Sequence, residues 1–317
     1  VCDGCRPPDT LDAAYAQRIA PAMTEDAYRF SKRGVVSATA AQAYGQFKQL
    51  LREEIIQRGL EKRVTVVEMS THAGFAMSVR HGLRWMLERR YELALVMQHD
   101  RVFVRPLSRA DLDLLTCRFA DDEHCRYVGF PSGSSKLLPS RTVEQYGLGP
   151  LLAARSLHLR ERLWLRPSIF WYDSNHLVHC ARALQIWKPF RHAPPSLLKR
   201  IGPSALRRFI LRGGDFIEDR FGVEQRNLLA SLKAEPHACV EVFDWFGCYL
   251  VEEIVEGGEV AAARDVLDGA ADAGSSVDGA LVDQLGRATF VAHIDGRGAK
   301  LRAWSEAMPT DFGERCV

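Results

Sequence analysis

Apolar residues in the first third of the chain recur at intervals that predict helices alternating with strands. Between Ser37 and Gly59 they fall on one face at helical spacing, and Gly59 stands where such a helix would end. Residues 63–69 are rich in β-branched side chains and predict a strand, and residues 75–90 again show helical spacing. This part of the chain therefore predicts an amphipathic helix, a strand and a second helix.

Residues 92–98 form a nearly continuous apolar run that stops abruptly at His99 and Asp100. Such a run is typical of a strand buried on both faces of a largely parallel sheet. Helices and strands that alternate with short connections predict an α/β fold, with a doubly wound sheet flanked by helices. Because ligands of these sheets bind at the carboxyl ends of the strands, Asp100 marks the place where we expect the functional site.

The rest of the chain predicts further elements and a loop-rich middle part. Pro167 requires an edge or a bulge in the strand that contains it, and Asp173 or Ser174 suits the N-cap of a following helix. The predicted elements are a helix at 108–117, a strand at 126–131, loops at 132–163, a strand at 164–173, a helix from Asp173 or Ser174 through Trp187, a helix after Gly213-Gly214, an alanine-rich helix near 259–272 and a strand at 288–297.

Composition and charge restrict the class of protein. The 317 residues are 47% hydrophobic and 26% charged, as in ordinary globular domains, and no stretch of 18 or more apolar residues predicts a membrane-spanning helix. With 42 basic and 40 acidic residues, the formal charge of +2 argues against a nucleic-acid-binding protein. The basic segment 188–212 keeps that alternative open, although it has few of the aromatic residues on which single strands stack. Only Cys2 and Cys5 have CxxC spacing, so no zinc site is predicted.

Three groups of residues bring reactive side chains to the ends of predicted elements. Asp100 is an oxygen ligand of the kind that Mg²⁺ and Mn²⁺ prefer, although a lone Asp after a strand also caps turns. Glu218 and Asp219 open a helix, where they either supply a general base or complement the helix dipole. His293 ends an apolar strand just before Arg297, which joins a metal-capable imidazole to a phosphate-capable guanidinium. The alternative for His293 is a structural role.

The order of these residues resembles that of the GT-A glycosyltransferases of family 2, including the forms found in algae and large algal viruses. In that family an early strand ends in an Asp that contacts the nucleotide base, which matches Asp3 with Arg6 close behind. Gly74 and Arg80 match the glycine and the basic residue at a helix start that hold the nucleotide and its phosphates. The resemblance implies a donor side made of Asp3, Arg6, Gly74, Arg80, His99 and Arg297.

The resemblance also implies a metal site and a catalytic base. The metal-binding DxD motif corresponds to Gln98-His99-Asp100, in which only the last carboxylate is present, and His293 resembles the late histidine that completes the metal and diphosphate site. Glu218 and Asp219 match the acidic pair ahead of an acceptor-side helix, with Asp219 as the base and Glu218 as an acceptor contact. The acceptor-side wall would consist of Trp171, Tyr172 and Asp173.

The same resemblance implies a single GT-A domain over residues 1–317, with a nucleotide-sugar-binding half at 1–131 and an acceptor-binding and catalytic-base half at 132–317. The implied reaction transfers a hexosyl or deoxyhexosyl unit from a nucleotide sugar to a glycan, lipid or protein acceptor, with inversion and with Mn²⁺ or Mg²⁺ as cofactor. Because the first DxD carboxylate is missing, the alternative is a catalytically degenerate GT-A domain that binds nucleotide or sugar, or acts as a scaffold.

The chain begins at Val1 as though inside a strand, so we expect an N-terminal part to have been removed. A cytoplasmic or membrane-peripheral location is favoured. The Golgi lumen is the alternative if an anchor preceded Val1.

Overall fold

The computed structural model describes residues 38–70, 73–98, 101–103, 107–131, 139–161, 163–188, 193, 195–253 and 291–293. The predicted helix near 259–272 lies outside these ranges. So do five of the predicted site residues, namely Asp3, Arg6, His99, Asp100 and Arg297.

Helices and strands alternate through the described part of the chain. The α-helices are α1 (Ala38–Gln57), α2 (Gly74–Glu88), α3 (Arg109–Asp121), α4 (Pro139–Gln145), α5 (Gly149–Arg155), α6 (Cys180–Ile186), α7 (Pro195–Leu206), α8 (Val223–Ser231) and α9 (Pro236–Phe246). The strands are β1 (Leu93–Val96), β2 (Arg101–Phe103), β3 (Tyr127–Gly129), β4 (Leu157–Arg160), β5 (Leu163–Pro167), β6 (His176–His179), β7 (Cys248–Glu253) and β8 (Val291–His293). A 3₁₀ turn (Arg207–Phe209) follows α7, and a π-helical turn (Glu218–Gly222) precedes α8.

The structure confirms the predictions that rest on a long periodic pattern. α1 occupies the first predicted helix, and Gly59 beyond its end has a φ of 62°. α2 is the second predicted helix, and α3 begins after Ser108, whose Oγ accepts a hydrogen bond from the Asp111 amide at 3.0 Å. β1, β3 and β8 lie within predicted strands. The predicted α/β class is therefore correct, and the sheet is mixed rather than largely parallel.

The strand predicted at 63–69 is wrong, since only Glu68 in that stretch takes part in an isolated bridge. The Glu68 carboxylate instead pairs with Lys48 at 2.7 Å and with Arg52, both on α1. Val64 is 40% exposed. β-Branched side chains favour a strand only where one face is buried, and this segment is attached to α1 by charge pairs.

β1 is not buried on both faces, contrary to the prediction from its apolar run. It is the first strand in the order of its sheet, and Leu95 within it is 44% exposed. Met97, just beyond its end, is 50% exposed. An apolar run therefore indicated a strand correctly but not its place in the sheet.

The middle of the chain departs from the predicted pattern in several places. The strand predicted at 164–173 ends at Pro167, and the helix predicted from Asp173 or Ser174 begins only at Cys180, after β6. Its N-cap is His179, whose Nδ1 accepts from the Arg182 amide at 3.5 Å. The supposedly loop-rich part contains α4, α5 and β4, the basic segment contains α7, and α9 was not predicted.

The chain divides into two compact units that interleave along the sequence. The first comprises Val1–Ala94, Phe170–Asp173 and His179–Leu228. Its interior contains Trp171, which packs on Trp187 and Phe221 with ring centroids 5.4 and 5.8 Å apart, while Phe209 packs on Phe221 at 5.5 Å. In the same unit α2 packs against α6.

The second unit comprises Leu95–Ile169, Ser174–Val178 and Leu229–Val317, and it contains nearly all of the six-stranded sheet. The strand order is β1-β6-β3-β7-β5-β4. β3 runs parallel to β7 but antiparallel to β6, and β5 is antiparallel to both β4 and β7. β2 and β8 form a separate two-stranded antiparallel sheet. The helices α4 and α5 pack on β5, and α9 packs on α5.

Pro167 ends β5 opposite Tyr249 of β7, whereas the pairing of β5 with β4 involves only Leu163–Leu165. β4 therefore does not pair with β5 at the proline, so the missing N–H of Pro167 breaks no hydrogen bond to β4. This agrees with the edge position expected for a proline in a strand. None of the helices in the described part of the chain combines the length and apolar character needed to cross a membrane.

Charged side chains of the second unit are held in close pairs. Glu252 on β7 is only 6% exposed and accepts from Arg166 Nε at 2.6 Å and from Ser140 Oγ at 2.8 Å. Arg155 binds Asp244 through two hydrogen bonds of 2.6 Å. Buried charges are costly unless paired in this way, so these contacts serve the fold.

Candidate active site

Asp173 and Glu218 form a reciprocal pair within the first unit. The Glu218 amide donates to Asp173 Oδ1 at 3.2 Å, and the Asp173 amide donates to Glu218 Oε2 at 3.3 Å. Glu218 is the first residue of the π-helical turn, so the Asp173 carboxyl satisfies one of the N–H groups that a helix start leaves open. Asp173 is therefore a cap, but of a helical turn 45 residues further along the chain.

This pair creates an unusual electrostatic environment. Asp173 is 4% exposed, and burial, followed by the nearby Glu218 carboxylate, raises its pKa well above the usual range for Asp. The charge of Asp219, the residue after Glu218, adds to that effect. Asp219 itself is exposed. The site thus combines a buried carboxyl whose pKa is raised with the exposed side chain of Asp219.

The π-helical turn that carries Glu218 and Asp219 packs against the Trp171 backbone and the Phe170 ring. A Cβ at Gly222 would lie 2.6 Å from the Trp171 carbonyl oxygen and 3.0 Å from Cε1 of Phe170, so only glycine fits there without displacing backbone. Trp171 is fully buried, and its ring packs in the interior of the unit. Of the three residues predicted to form an acceptor wall, Trp171 and Asp173 are thus interior residues, and Tyr172 is half-buried.

The start of α2 is joined to the loop that leads into this turn. The Gly214 amide donates to the Ala73 carbonyl at 2.9 Å, and the Ala76 amide donates to the Asp215 carbonyl at 3.1 Å. A Cβ at Gly74 would lie 2.7 Å from the Gly214 Cα, and Gly74 has a φ of 76°. Close backbone approach and left-handed conformation both require glycine at position 74. Gly74, predicted to be on the donor side, is therefore in direct contact with the loop before Glu218 and Asp219.

Arg80 lies on α2, about one and a half turns beyond Gly74. It is partly buried, and burial together with the charge of Arg84 lowers its pKa. Among the described residues its buried Nε has no hydrogen-bond partner. Two arginines four residues apart share a helix face, and a partly desolvated guanidinium beside a second cation suits an anion such as a diphosphate.

The residues predicted to bind metal belong to the second unit. β2 and β8 pair so that Arg101, the residue after Asp100, is the Cα partner of His293. The Arg101 amide donates to the Gln98 carbonyl at 3.2 Å, a hydrogen bond that spans His99 and Asp100. Asp100 and the His293 side chain are outside the described residues, and those that are described hold no group of three or more His, Cys, Asp or Glu able to bind a metal.

Asn175 binds the backbone of Gln98 and of Arg101, on either side of His99 and Asp100, and was not predicted from the sequence. Its side chain is fully buried, with Oδ1 accepting from the Gln98 amide and Nδ2 donating to the Arg101 carbonyl, both at 3.3 Å. The neighbouring His176 is also buried, which lowers its pKa to about 4, and its Nδ1 lies 2.6 Å from the Ser174 carbonyl. Since a carbonyl only accepts, Nδ1 carries the proton and the ring is neutral. Nothing in the local sequence marks Asn175 as buried, so no pattern around it could have identified this role.

Comparison of the chain with models of protein families, with curated proteins and with solved structures finds no match in any of the three.

Proposed function

We propose that this protein is a glycosyltransferase that moves a sugar from a nucleotide-sugar donor to an acceptor hydroxyl, on a fold of the GT-A type. The observation that carries the proposal is the arrangement of Asp219. It is an exposed carboxylate on a π-helical turn, and such turns are rare and concentrate at functional sites. The Asp173–Glu218 pair and Gly222 fix that turn.

In this reaction Asp219 acts as the general base. It takes the proton of the acceptor hydroxyl while the hydroxyl oxygen attacks the anomeric carbon, and the bond from that carbon to the nucleoside diphosphate breaks, with inversion. Burial raises the pKa of the Asp173 carboxyl, which favours its neutral form beside the base. Glu218 holds the turn through the Asp173 amide. Tyr172 remains a proposed acceptor contact.

The diphosphate of the donor would bind positively charged side chains. Arg80 on α2 is in the same compact unit as Asp219, and Arg84 stands four residues further along that helix. A guanidinium binds two phosphate oxygens at once, and it stabilises the charge that develops on the leaving group. Asp3, Arg6, His99 and Arg297 complete the proposed donor side.

Asp100 and His293 would hold a divalent cation, Mn²⁺ or Mg²⁺. Support comes from the β2–β8 register, in which His293 is opposite the residue that follows Asp100. An oxygen and an imidazole nitrogen suit Mn²⁺, with donor phosphates completing the coordination. When bound, the cation neutralises charge on the diphosphate. The acceptor would be a glycan, a lipid or a protein, and the location cytoplasmic or membrane-peripheral.

The test is to measure transfer and donor hydrolysis with a panel of nucleotide sugars and Mn²⁺, for the wild type and for Asp219→Asn. The variant should lose roughly 100-fold or more of the transfer rate, because it cannot accept the proton, while its calorimetric Kd for the donor stays within about twofold. Asp121→Asn, which alters an exposed carboxylate at the end of α3, is the matched control and should transfer normally.

Two results would count against this assignment. Substantial transferase activity in Asp219→Asn would show that another group is the base. Tight binding of nucleotide sugars by the wild type, with neither transfer nor hydrolysis, would favour the catalytically degenerate domain instead.

A further inference from the structure

Phe216 presents an aromatic ring to solvent beside the proposed base. Its side chain is 47% exposed, and it stands three residues before Asp219. The Arg220 amide donates to the Phe216 carbonyl at 3.3 Å, a hydrogen bond that closes a turn from Phe216 to Arg220 with Asp219 inside it. The exposed ring and the exposed Asp219 side chain are thus carried by the same turn of the first unit.

The Phe216 ring packs on a neighbouring aromatic side chain. It stacks on Phe75, with centroids 6.1 Å apart and planes 21° from parallel. The two backbones that carry these rings are joined by the hydrogen bonds from Gly214 to Ala73 and from Ala76 to Asp215. An aromatic group that is already ordered loses little conformational entropy when it binds a ligand. Phe216 is thus preorganised as a contact surface.

A flat apolar ring beside a carboxylate matches the two kinds of surface on a sugar. The C–H groups on one face of a pyranose are weakly positive and pack on the negative face of an aromatic ring. The hydroxyls at its edge donate to carboxylates. Residues 212–220 carry Asp215, Glu218 and Asp219 against Arg212 and Arg220, so their formal charge is −1 and offers no net attraction to a lipid phosphate.

We propose that Phe216, supported by Phe75, is the acceptor subsite, and that the acceptor is an uncharged carbohydrate whose C–H face lies on the Phe216 ring. This rests on the proposed glycosyl transfer and names its acceptor class. It also assigns the stacking role, predicted from the sequence for Trp171, to a different aromatic residue, because the Trp171 ring is fully buried. The sugar's hydroxyl would then be directed to Asp219.

The experiment compares wild type, Phe216→Ala, Phe216→Trp and Phe47→Ala. Phe47 is the matched control, since it is 54% exposed and stacks on Tyr44 with centroids 6.1 Å apart, but it is on α1 and has no part in the proposed site. Acceptors are maltose, lactose, N,N′-diacetylchitobiose and α-1,2-mannobiose, with n-octanol and a serine-containing peptide for comparison. Acceptor KM, kcat and hydrolysis of the donor without acceptor are measured for each variant.

At least one disaccharide should accept sugar, and Phe216→Ala should raise its KM by about tenfold or more, which corresponds to the loss of one good stacking contact. kcat and donor hydrolysis should change by less than about threefold, since the base is untouched. Phe216→Trp should restore the KM, and Phe47→Ala should leave it unchanged. An unchanged KM in Phe216→Ala, or transfer to octanol or the peptide alone, would overturn the proposal.

Direct binding separates this inference from the proposed reaction. Saturation-transfer NMR of the same disaccharides, at millimolar concentration, should show contacts in the wild type that are lost in Phe216→Ala and kept in Phe47→Ala. If the sugars bind in this way but no nucleotide sugar is ever used, the transferase proposal fails and the carbohydrate subsite stands. If transfer occurs but the wild type shows no Phe216-dependent binding, the subsite proposal fails and the transferase stands.

Discussion

Asp173 shows how a single side chain can be recognised from sequence and still be assigned to the wrong element. Its sequence context suits an N-cap, and it is a cap, but it binds the amide of Glu218 rather than one near Cys180. A capping carboxyl accepts from any helix start that folding brings to it. The partner lies 45 residues away, so no local pattern identifies it.

Replacing Asp173 with Asn gives a prediction about pH. The folded protein holds the Asp173 proton to higher pH than the unfolded chain does, so the stability from this group is complete below the unfolded pKa of about 3.9 and is lost as pH rises through the raised folded pKa. Asn mimics the neutral carboxyl and still accepts from the Glu218 amide. The free energy of unfolding of Asp173→Asn, relative to wild type, should therefore increase from pH 4 to pH 8.

Urea unfolding at several pH values measures this difference. Asp173→Ala is the companion variant, because it removes the acceptor of the Glu218 amide and should be less stable than Asp173→Asn at every pH. A difference between wild type and Asp173→Asn that does not vary with pH would mean that Asp173 ionises normally in the folded protein.

At the scale of elements, the pattern of apolar residues was informative where it repeats over a long element, even in α1, where Phe47 and Leu50 of the apolar face are exposed. α1, α2 and α3 repeat that pattern over at least 13 residues each, and all three were predicted. The segment 63–69 has strand-forming residues without a buried face, and packing partners far away in sequence decide whether such a segment forms a strand. α9 could have been predicted, since its buried residues Ala238, Val242 and Trp245 recur at helical spacing and Pro236 is its first residue, where proline suits a helix start.

The π-helical turn yields a prediction about Gly222. Gly222→Ala should lower the free energy of unfolding by about 1–3 kcal/mol, because the new methyl group would overlap the Trp171 carbonyl, which is backbone and cannot rotate away. The same change should reduce transfer, since the turn carries Asp219. Urea midpoints and the transfer assay measure the two effects.

Gly45→Ala is the matched control for this substitution. Gly45 lies within α1, and a Cβ there would meet nothing within 4 Å. Alanine is favoured over glycine in a helix by about 0.5–1 kcal/mol, so Gly45→Ala should be neutral or slightly stabilising. A stable and active Gly222→Ala would contradict the close packing of the turn.

For the molecule as a whole, the two compact units do not coincide with the two functional halves, 1–131 and 132–317, expected from the sequence. Gly74 and Arg80 were predicted in one functional half and Glu218 and Asp219 in the other, yet all four belong to the first unit. The contact between Gly74 and Gly214 joins these two stretches, since glycine allows backbones distant in sequence to touch. The sequence marked these residues by type, but only the folded chain shows which of them are neighbours.

The proposed donor and metal sites predict how the whole protein responds to ligands. A ligand that binds only the folded state stabilises it by about 2.7 kcal/mol at a hundred times its Kd, which corresponds to a rise in Tm of about 5 °C for a chain of this size. We expect UDP or GDP to produce such a rise when Mn²⁺ is present. Chelation of the metal with EDTA should remove most of it, because the diphosphate then lacks its counter-charge.

Two variants test which residues cause this rise in Tm. Asp100→Asn should lose the Mn²⁺-dependent part of the shift, whereas Asp121→Asn should keep it. Arg80→Gln should reduce the shift with and without metal, because it removes a direct contact with the diphosphate. If the rise in Tm were equal in EDTA, or were unaffected by Asp100→Asn, nucleotide binding would not depend on the metal. Arg80 would then be the main anion contact.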